Sequence, residues 1–216
     1  MQKVISKQDI LEMPKRYRTQ LINSITGFKS AALIGTQSEK GNLNLAIFSQ
    51  IFHLGANPAL IGMIVRPAVV PRHTWTNIQE TGFFTINHIH PSFVEKAHQC
   101  SAKYSENVSE FEAVDLTPFF EENIKAPFVN KSHLKIGLAY RDHKLIELND
   151  TILVIGEIVH VSLNHELIKE DGFVDLNLAE TVTVSGMDAY YTTQKLGRFN
   201  YAKPDEKFDK LAENLF

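Results

Sequence analysis

The chain has 216 residues, 44% hydrophobic and 22% charged, which is ample for one domain with a buried core and ordinary for a globular protein. Its 22 Lys plus Arg against 25 Asp plus Glu leave a net charge of -3, with no basic footprint of the kind that binds nucleic acid. The single cysteine, Cys100, excludes an internal disulfide framework and fits a reducing compartment. The first residues, MQKVISKQDILEMPKRYRTQ, lack the apolar core of a secretory signal. The longest apolar run, Pro58 to Val65, is far short of the roughly 18–20 residues of a membrane helix. A soluble, cytoplasmic protein is expected, and the sequons at Asn107, Asn130 and Asn149 are then chance matches.

In chain order, residues 1–14 read as a polar lead-in, with Pro14 placed to begin a helix. Tyr17, Leu21 and Ile25 recur at four-residue spacing, predicting an amphipathic helix over 16–25 that Gly27 stops. Phe28 to Thr36 reads as a strand and Glu39-Lys40-Gly41-Asn42 as a hairpin turn. Leu43 to Phe48 and Ala59 to Val65 are apolar strands flanking a turn that ends in Asn57-Pro58. An Arg66-Pro67 break follows. A helix opens at Pro71-Arg72-His73-Thr74, Gly82 ends it, and a strand runs from Phe83 to Asn87. Ser92 to Tyr104 is expected to be helical with Phe93, Ala97 and Cys100 inward, and 105–132 mostly loop. Leu134 to Tyr140 alternates as a half-buried strand, Arg141 to Lys144 reads as a turn, and Leu145 to Leu148 pairs back. Thr151 to Leu163 is a long β-rich run, Val182 to Val184 a last strand, and the tail is polar apart from Leu211 and Leu215. The chain has no alternating βαβ rhythm and no repeats. Mainly antiparallel sheet closing into a barrel, in one domain over 1–216, is the expected architecture.

The chemically suggestive group is Arg72-His73-Thr74. The first N–H groups of a helix lack internal partners and carry partial positive charge, and Arg72 adds a fork suited to phosphate. A capped surface helix with an incidental arginine is the plain alternative. Asn44-Leu45-Ala46-Ile47-Phe48-Ser49 admits a flat aromatic cofactor against the strand, with Ser49 and backbone amides at its polar edge; a plain core strand explains it as well. His88, His90, His98 and Cys100 invite a metal, but no Cys-x-x-Cys or His-Glu-x-x-His accompanies them, so no metal site is expected. Glu110, Glu112, Glu121 and Glu122 fall in loop-like sequence, where solvated charge is the default. The chain carries no Gly-x-Ser-x-Gly elbow, dinucleotide fingerprint or Walker loop, and no residue commits itself as a catalytic acid or base.

Taken together, Ile22 to Lys29, Thr36, Gly41 to Ser49, Asn57-Pro58, Arg72-His73-Thr74, Asn77-Ile78 and Thr81 to Asn87 resemble the flavin reductase-like family of FMN-binding split β-barrels. The likeness continues more weakly through Gly156 to Val159, Ser185 to Asp188 with Tyr190-Tyr191, and Tyr201 to Pro204. It implies an antiparallel Greek-key split barrel, a homodimer and one FMN per subunit near the dimer interface. It would lay Ala46, Ile47, Phe48 and Ser49 along the isoalloxazine and put Arg72, His73 and Thr74 at the phosphate. Asn44 and Arg66 would be neighbours, and Tyr190 and Tyr191 would cover the flavin.

The resemblance also implies electron transfer from NADH or NADPH through FMN to free flavin, oxygen or an organic acceptor. One departure stands out. Many short reductases of the family carry Gly-Asp-His before the last long strand, linked to the nicotinamide substrate. Here the place reads Asn149-Asp150-Thr151. A flavin-binding protein without efficient turnover is therefore the alternative expectation.

Overall fold

The computed structural model of the chain describes residues 1–67, 70–105, 107–205 and 207; the apolar tail residues Leu211 and Leu215 lie outside them. The lead-in contains a helix that the reading above missed, α1 (Lys7–Glu12). A reciprocal cap starts it: Ser6 N–H donates to Asp9 Oδ2 at 2.7 Å and Asp9 N–H to Ser6 Oγ at 3.2 Å. Pro14 precedes α2 (Lys15–Ser24), and Gly27, at φ +85°, turns the chain out of it.

The expected strand over 28–36 breaks at Ala31 into β1 (Lys29–Ser30) and β2 (Ala32–Gln37), which join different sheets. Next come β3 (Leu43–Phe48), β4 (Ile51–Ala56), β5 (Ala59–Val65), α3 (His73–Thr81) and β6 (Phe83–His88). β4 is a correction, since 49–58 reads in sequence as one turn. An edge strand with one exposed side need not be uniformly apolar, and IFHLGA hides its period behind His53 and Gly55. The actual turns are the two residues Ser49-Gln50 and the cis Asn57-Pro58 pair.

The helix expected over 92–104 shrinks to a 3-10 turn, Pro91–Phe93, and α4 (Val94–Gln99), with Phe93, Ala97 and Cys100 buried as expected. α5 (Glu110–Ala113), β7 (Pro118–Phe119) and β8 (Phe128–Val129) punctuate the loop region. β9 (Leu134–Ile146) runs unbroken through Arg141 to Lys144, and its turn to β10 (Thr151–Leu163) falls later, at Glu147 to Asp150. This end of the hairpin stands in solvent, so charged residues occupy strand positions and pair locally. Arg141 Nε meets Glu157 at 2.6 Å and Lys144 Nζ meets Asp142 at 2.7 Å. The last strands are β11 (Thr183–Ser185) and β12 (Ala189–Tyr191).

Seven strands form one antiparallel sheet in the order β3-β2-β6-β9-β10-β5-β4. Its two edge strands, β3 and β4, are separated in the chain by Ser49 and Gln50 alone. A flat sheet of this width would hold its edges roughly 29 Å apart at about 4.8 Å per strand. Two linking residues span no more than about 10 Å, so the sheet must roll up into a barrel. Ile64 N–H donates to Gln50 O at 2.9 Å, extending the β4–β5 ladder into the linker, and Ser30 Oγ of β1 donates to Ile51 O of β4 at 3.2 Å.

Alternation divides the core into two. Ala32 and Ile34 of β2 point inward with Met63, Ile78, Phe84, Ile86, Leu138 and Val154, closed by Trp75 of α3. Leu33 and Leu45 point outward into a second layer with Phe93, Ala97, Phe111, Val129, Val182 and Val184.

Candidate functional site

The site is built where α3 crosses the start of β3. α3 has Arg72 as N-cap and no side-chain cap bond, so the N-cap leaves its first amides without the usual side-chain acceptor. Gly82, left-handed at φ +73°, ends it and returns the chain to the sheet. On the inner face Asn44, Thr36, Thr74 and Asn77 form a buried network. Asn44 Nδ2 donates to Thr36 Oγ1 and to Thr74 Oγ1, both at 3.1 Å, and Asn77 Nδ2 donates to Thr36 Oγ1 at 3.1 Å. Thr36, 0% exposed, thus fastens both α3 and β3. Sequence reading gave Thr36 and Asn77 no role. A threonine in a β-rich run and an asparagine one turn after Thr74 offer only a weak signal for such a hub.

β3 has β2 on one side and, among the described residues, no strand on the other. In an antiparallel pair each residue's N–H and C=O turn to the same side, alternating along the strand. Leu45 N–H faces the open side, where Glu110 Oε2 accepts it at 2.9 Å. Ile47 is the next residue in that phase, and Ser49 follows at the strand's end. Ala46 and Phe48, opposite Ile34 and Ala32 in the register, belong to the other phase, which turns its backbone toward β2. Side chains divide likewise: Phe48 packs with the inner core, while Ile47 packs with the outer layer.

The other expected site residues are distributed unevenly. Arg72 is half-buried and turned back, with Nε and Nη2 donating to Pro67 O at 3.1 and 3.0 Å. His73 is half-buried in the first turn of α3. Arg66, exposed at the end of β5, is not part of the Asn44–Thr74 network. Tyr190 packs on the outer layer and its hydroxyl meets His98 Nδ1 at 2.9 Å. Tyr191 is 44% exposed, its ring edge-on to Phe28 at 5.0 Å.

Glu110 overturns the reading of its segment as solvated charge. It is 8% exposed, because α5 packs it against β3 while Phe111 enters the outer core. Burial raises its carboxyl pKa, opposed by the Leu45 N–H, its own amide and nearby His73. Beyond it a cavity of about 490 Å³ opens against Gly41, Asn42 and Leu43, walled by Phe111, Leu116 and Pro118. That cavity lies at the start of β3, away from the Ala46 to Ser49 strip.

The histidine group disperses. His88 Nδ1 meets Thr181 Oγ1 at 3.3 Å, and its burial lowers the imidazole to about 4. His90 meets Glu180 at 3.1 Å and lies tilted against His133, ring centroids 4.3 Å apart, while His98 goes to Tyr190. Cys100 is buried, its thiol pushed up to about 12 by desolvation and then by Glu110. Among the described residues no three His, Cys, Asp or Glu side chains are arranged to hold a metal, and no helix is long and apolar enough to cross a membrane.

A rolled antiparallel sheet with a helix closing one end and an open edge strand beside that helix is a split barrel. The flavin reductase like domain family matches residues 28–181, and the chain belongs to that family. A solved split-barrel-domain structure from Shewanella frigidimarina NCIMB 400, provisionally described as a flavin reductase, is 49% identical and superposes with a TM-score of 0.90. It covers 93% of this chain and 100% of its own. The nitrilotriacetate monooxygenase component B of Bacillus cereus shares the fold at 21% identity, with a TM-score of 0.79, 92% of this chain and 98% of its own covered. An uncharacterised protein of Halalkalibacterium halodurans is 28% identical over 183 residues, 81% of this chain and 85% of its own.

Proposed function

We propose that the chain is an FMN-binding oxidoreductase passing electrons from NADH or NADPH to free flavin, oxygen or an organic acceptor, acting in the cytoplasm as a homodimer. The observation that carries this reading is the adjacency of a helix start without a side-chain cap and a strand edge without a partner strand among the described residues. The uncapped N-terminus of α3 faces the same corner as the strandless side of β3, and the Asn44–Thr74 bond ties them together. The α3 amides, the Thr74 region and Arg72 suit a phosphate. The outward N–H groups of Ile47 and Ser49 suit the acceptor edge of a planar heterocycle. One phosphate cradle favours a mononucleotide. Bound FMN would supply the redox chemistry, and the protein would supply position, anchoring and exclusion of water.

In a homodimer, Tyr191 and Phe28, both exposed in one chain, are the aromatic surface available to cover the ring or the partner. The visible spectrum before and after addition of FMN and desalting tests the binding. Retained flavin absorbance, with NADH or NADPH oxidation above that of free FMN, is the expected outcome. A protein that neither retains FMN nor quenches its fluorescence refutes it.

A flavin-binding protein without efficient turnover is the second reading, favoured by one observation. Asn149 and Asp150 form a tight turn, Asp150 at φ +57° and Asn149 Oδ1 accepting the Thr151 hydroxyl at 2.7 Å. No histidine stands there to meet a nicotinamide. Retained FMN without turnover on either nucleotide selects this reading.

A further inference from the structure

Glu110 stands between the two halves of the proposed site. Its Oε2 takes the Leu45 N–H at 2.9 Å, so it occupies the open edge of β3 about 7 Å, two strand residues, before the Ile47 N–H. On its other side His73, in the first turn of α3, is close enough to favour its ionised form. A buried carboxylate is stabilised only when its acceptor capacity is used, and two backbone N–H groups, that of Leu45 and its own, use part of the roughly four lone-pair sites it offers.

We propose that Glu110 is a specificity-determining residue that accepts hydroxyl hydrogen bonds from the ribityl chain of the flavin. This deepens the flavin reading and rests on it. A carboxylate accepts and does not donate, so it pairs with hydroxyls and repels a second anion. It therefore sets the direction of the ligand: phosphate at α3, polyol over Leu45, ring along Ile47 to Ser49. It also discriminates flavins by their side chain rather than by their ring.

The test titrates FMN, riboflavin and lumiflavin, which lacks the ribityl chain, into wild type, Glu110→Ala and Glu110→Gln by fluorescence quenching. A hydrogen bond to a charged group corresponds to about ten- to a hundredfold in affinity. Glu110→Ala is expected to weaken riboflavin by that factor and lumiflavin by less than about twofold, with Glu110→Gln, which keeps one acceptor oxygen, between. Because the readout is a ratio of two ligands within one variant, a general loss of β3 order does not imitate it. Equal losses for riboflavin and lumiflavin, or no loss for either, overturn the proposal while leaving FMN binding intact. A wild type that binds no flavin overturns the flavin reading and this proposal together.

Discussion

Replacing Thr36 by valine keeps the shape of the side chain and deletes one oxygen. That oxygen, 0% exposed, accepts from Asn44 and Asn77 at 3.1 Å each. Both amides are buried, at 8% and 6% exposure, so neither donor can turn to water. Each orphaned donor costs about 1–3 kcal/mol, partly recovered as the valine methyl packs in the core. A loss of about 2–4 kcal/mol is expected. For a chain of this length about 2–4 °C of Tm accompanies each kcal/mol, so Tm should fall by roughly 4–16 °C. Calorimetry at one fixed protein concentration is the assay, since assembly would make Tm concentration-dependent. Thr36→Ser, which restores the acceptor, should recover most of the loss. A Thr36→Val protein within about 0.5 kcal/mol of wild type would refute the hub, because only surface changes are normally that mild.

Arg72→Ala should weaken FMN about ten- to a hundredfold, the weight of a charge-assisted contact, and leave riboflavin nearly unchanged in the same quenching titration. Equal effects on the two flavins would remove Arg72 from the phosphate. His88 titrates at about 4 when folded and near 6.5 when unfolded, so its neutral form is the one the fold accepts. Its contribution is fully present above pH 6.5 and is lost as pH falls toward 4, up to about 3 kcal/mol. Urea midpoints at pH 7 and pH 5 should therefore converge between wild type and His88→Gln, and parallel shifts would contradict this. A Cβ on Gly35 would overlap the Pro127 carbonyl oxygen, which already accepts from Thr85 Oγ1 at 2.6 Å. Gly35→Ala should cost about 3 kcal/mol or more by overpacking rigid backbone, measured by denaturant midpoint.

The strands with one side chain class per face were legible: Leu43–Phe48, Ala59–Val65 and Phe83–Asn87 follow from apolar runs bounded by Gly, Pro and Asn. So was α3, from its Pro71 entry and Gly82 exit. What stayed hidden was set by partners far along the chain. β4 is a strand because β5 pairs with it, and Arg141 to Lys144 stay extended because β10 continues beside them. Glu110 looks solvated until α5 folds it onto the Leu45 N–H, 65 residues away. The phosphate candidates were visible as a local pattern. The Thr36–Asn44–Asn77 tie beneath them was not, because it joins two strands and a helix that only the fold brings together.

The two-residue bridge Ser49-Gln50 has a consequence for tolerance to change. Elsewhere on the surface a longer loop costs little, about 0.6 kcal/mol for each doubling. Here extra residues would slacken the short covalent link that draws the margins of the sheet together, and would release Ser49 from its fixed place at the end of β3. An inserted glycine at this bridge would therefore be felt as a loosened cylinder. Domain insertion and circular permutation, welcome at the exposed 147–150 turn, should fail between Ser49 and Gln50.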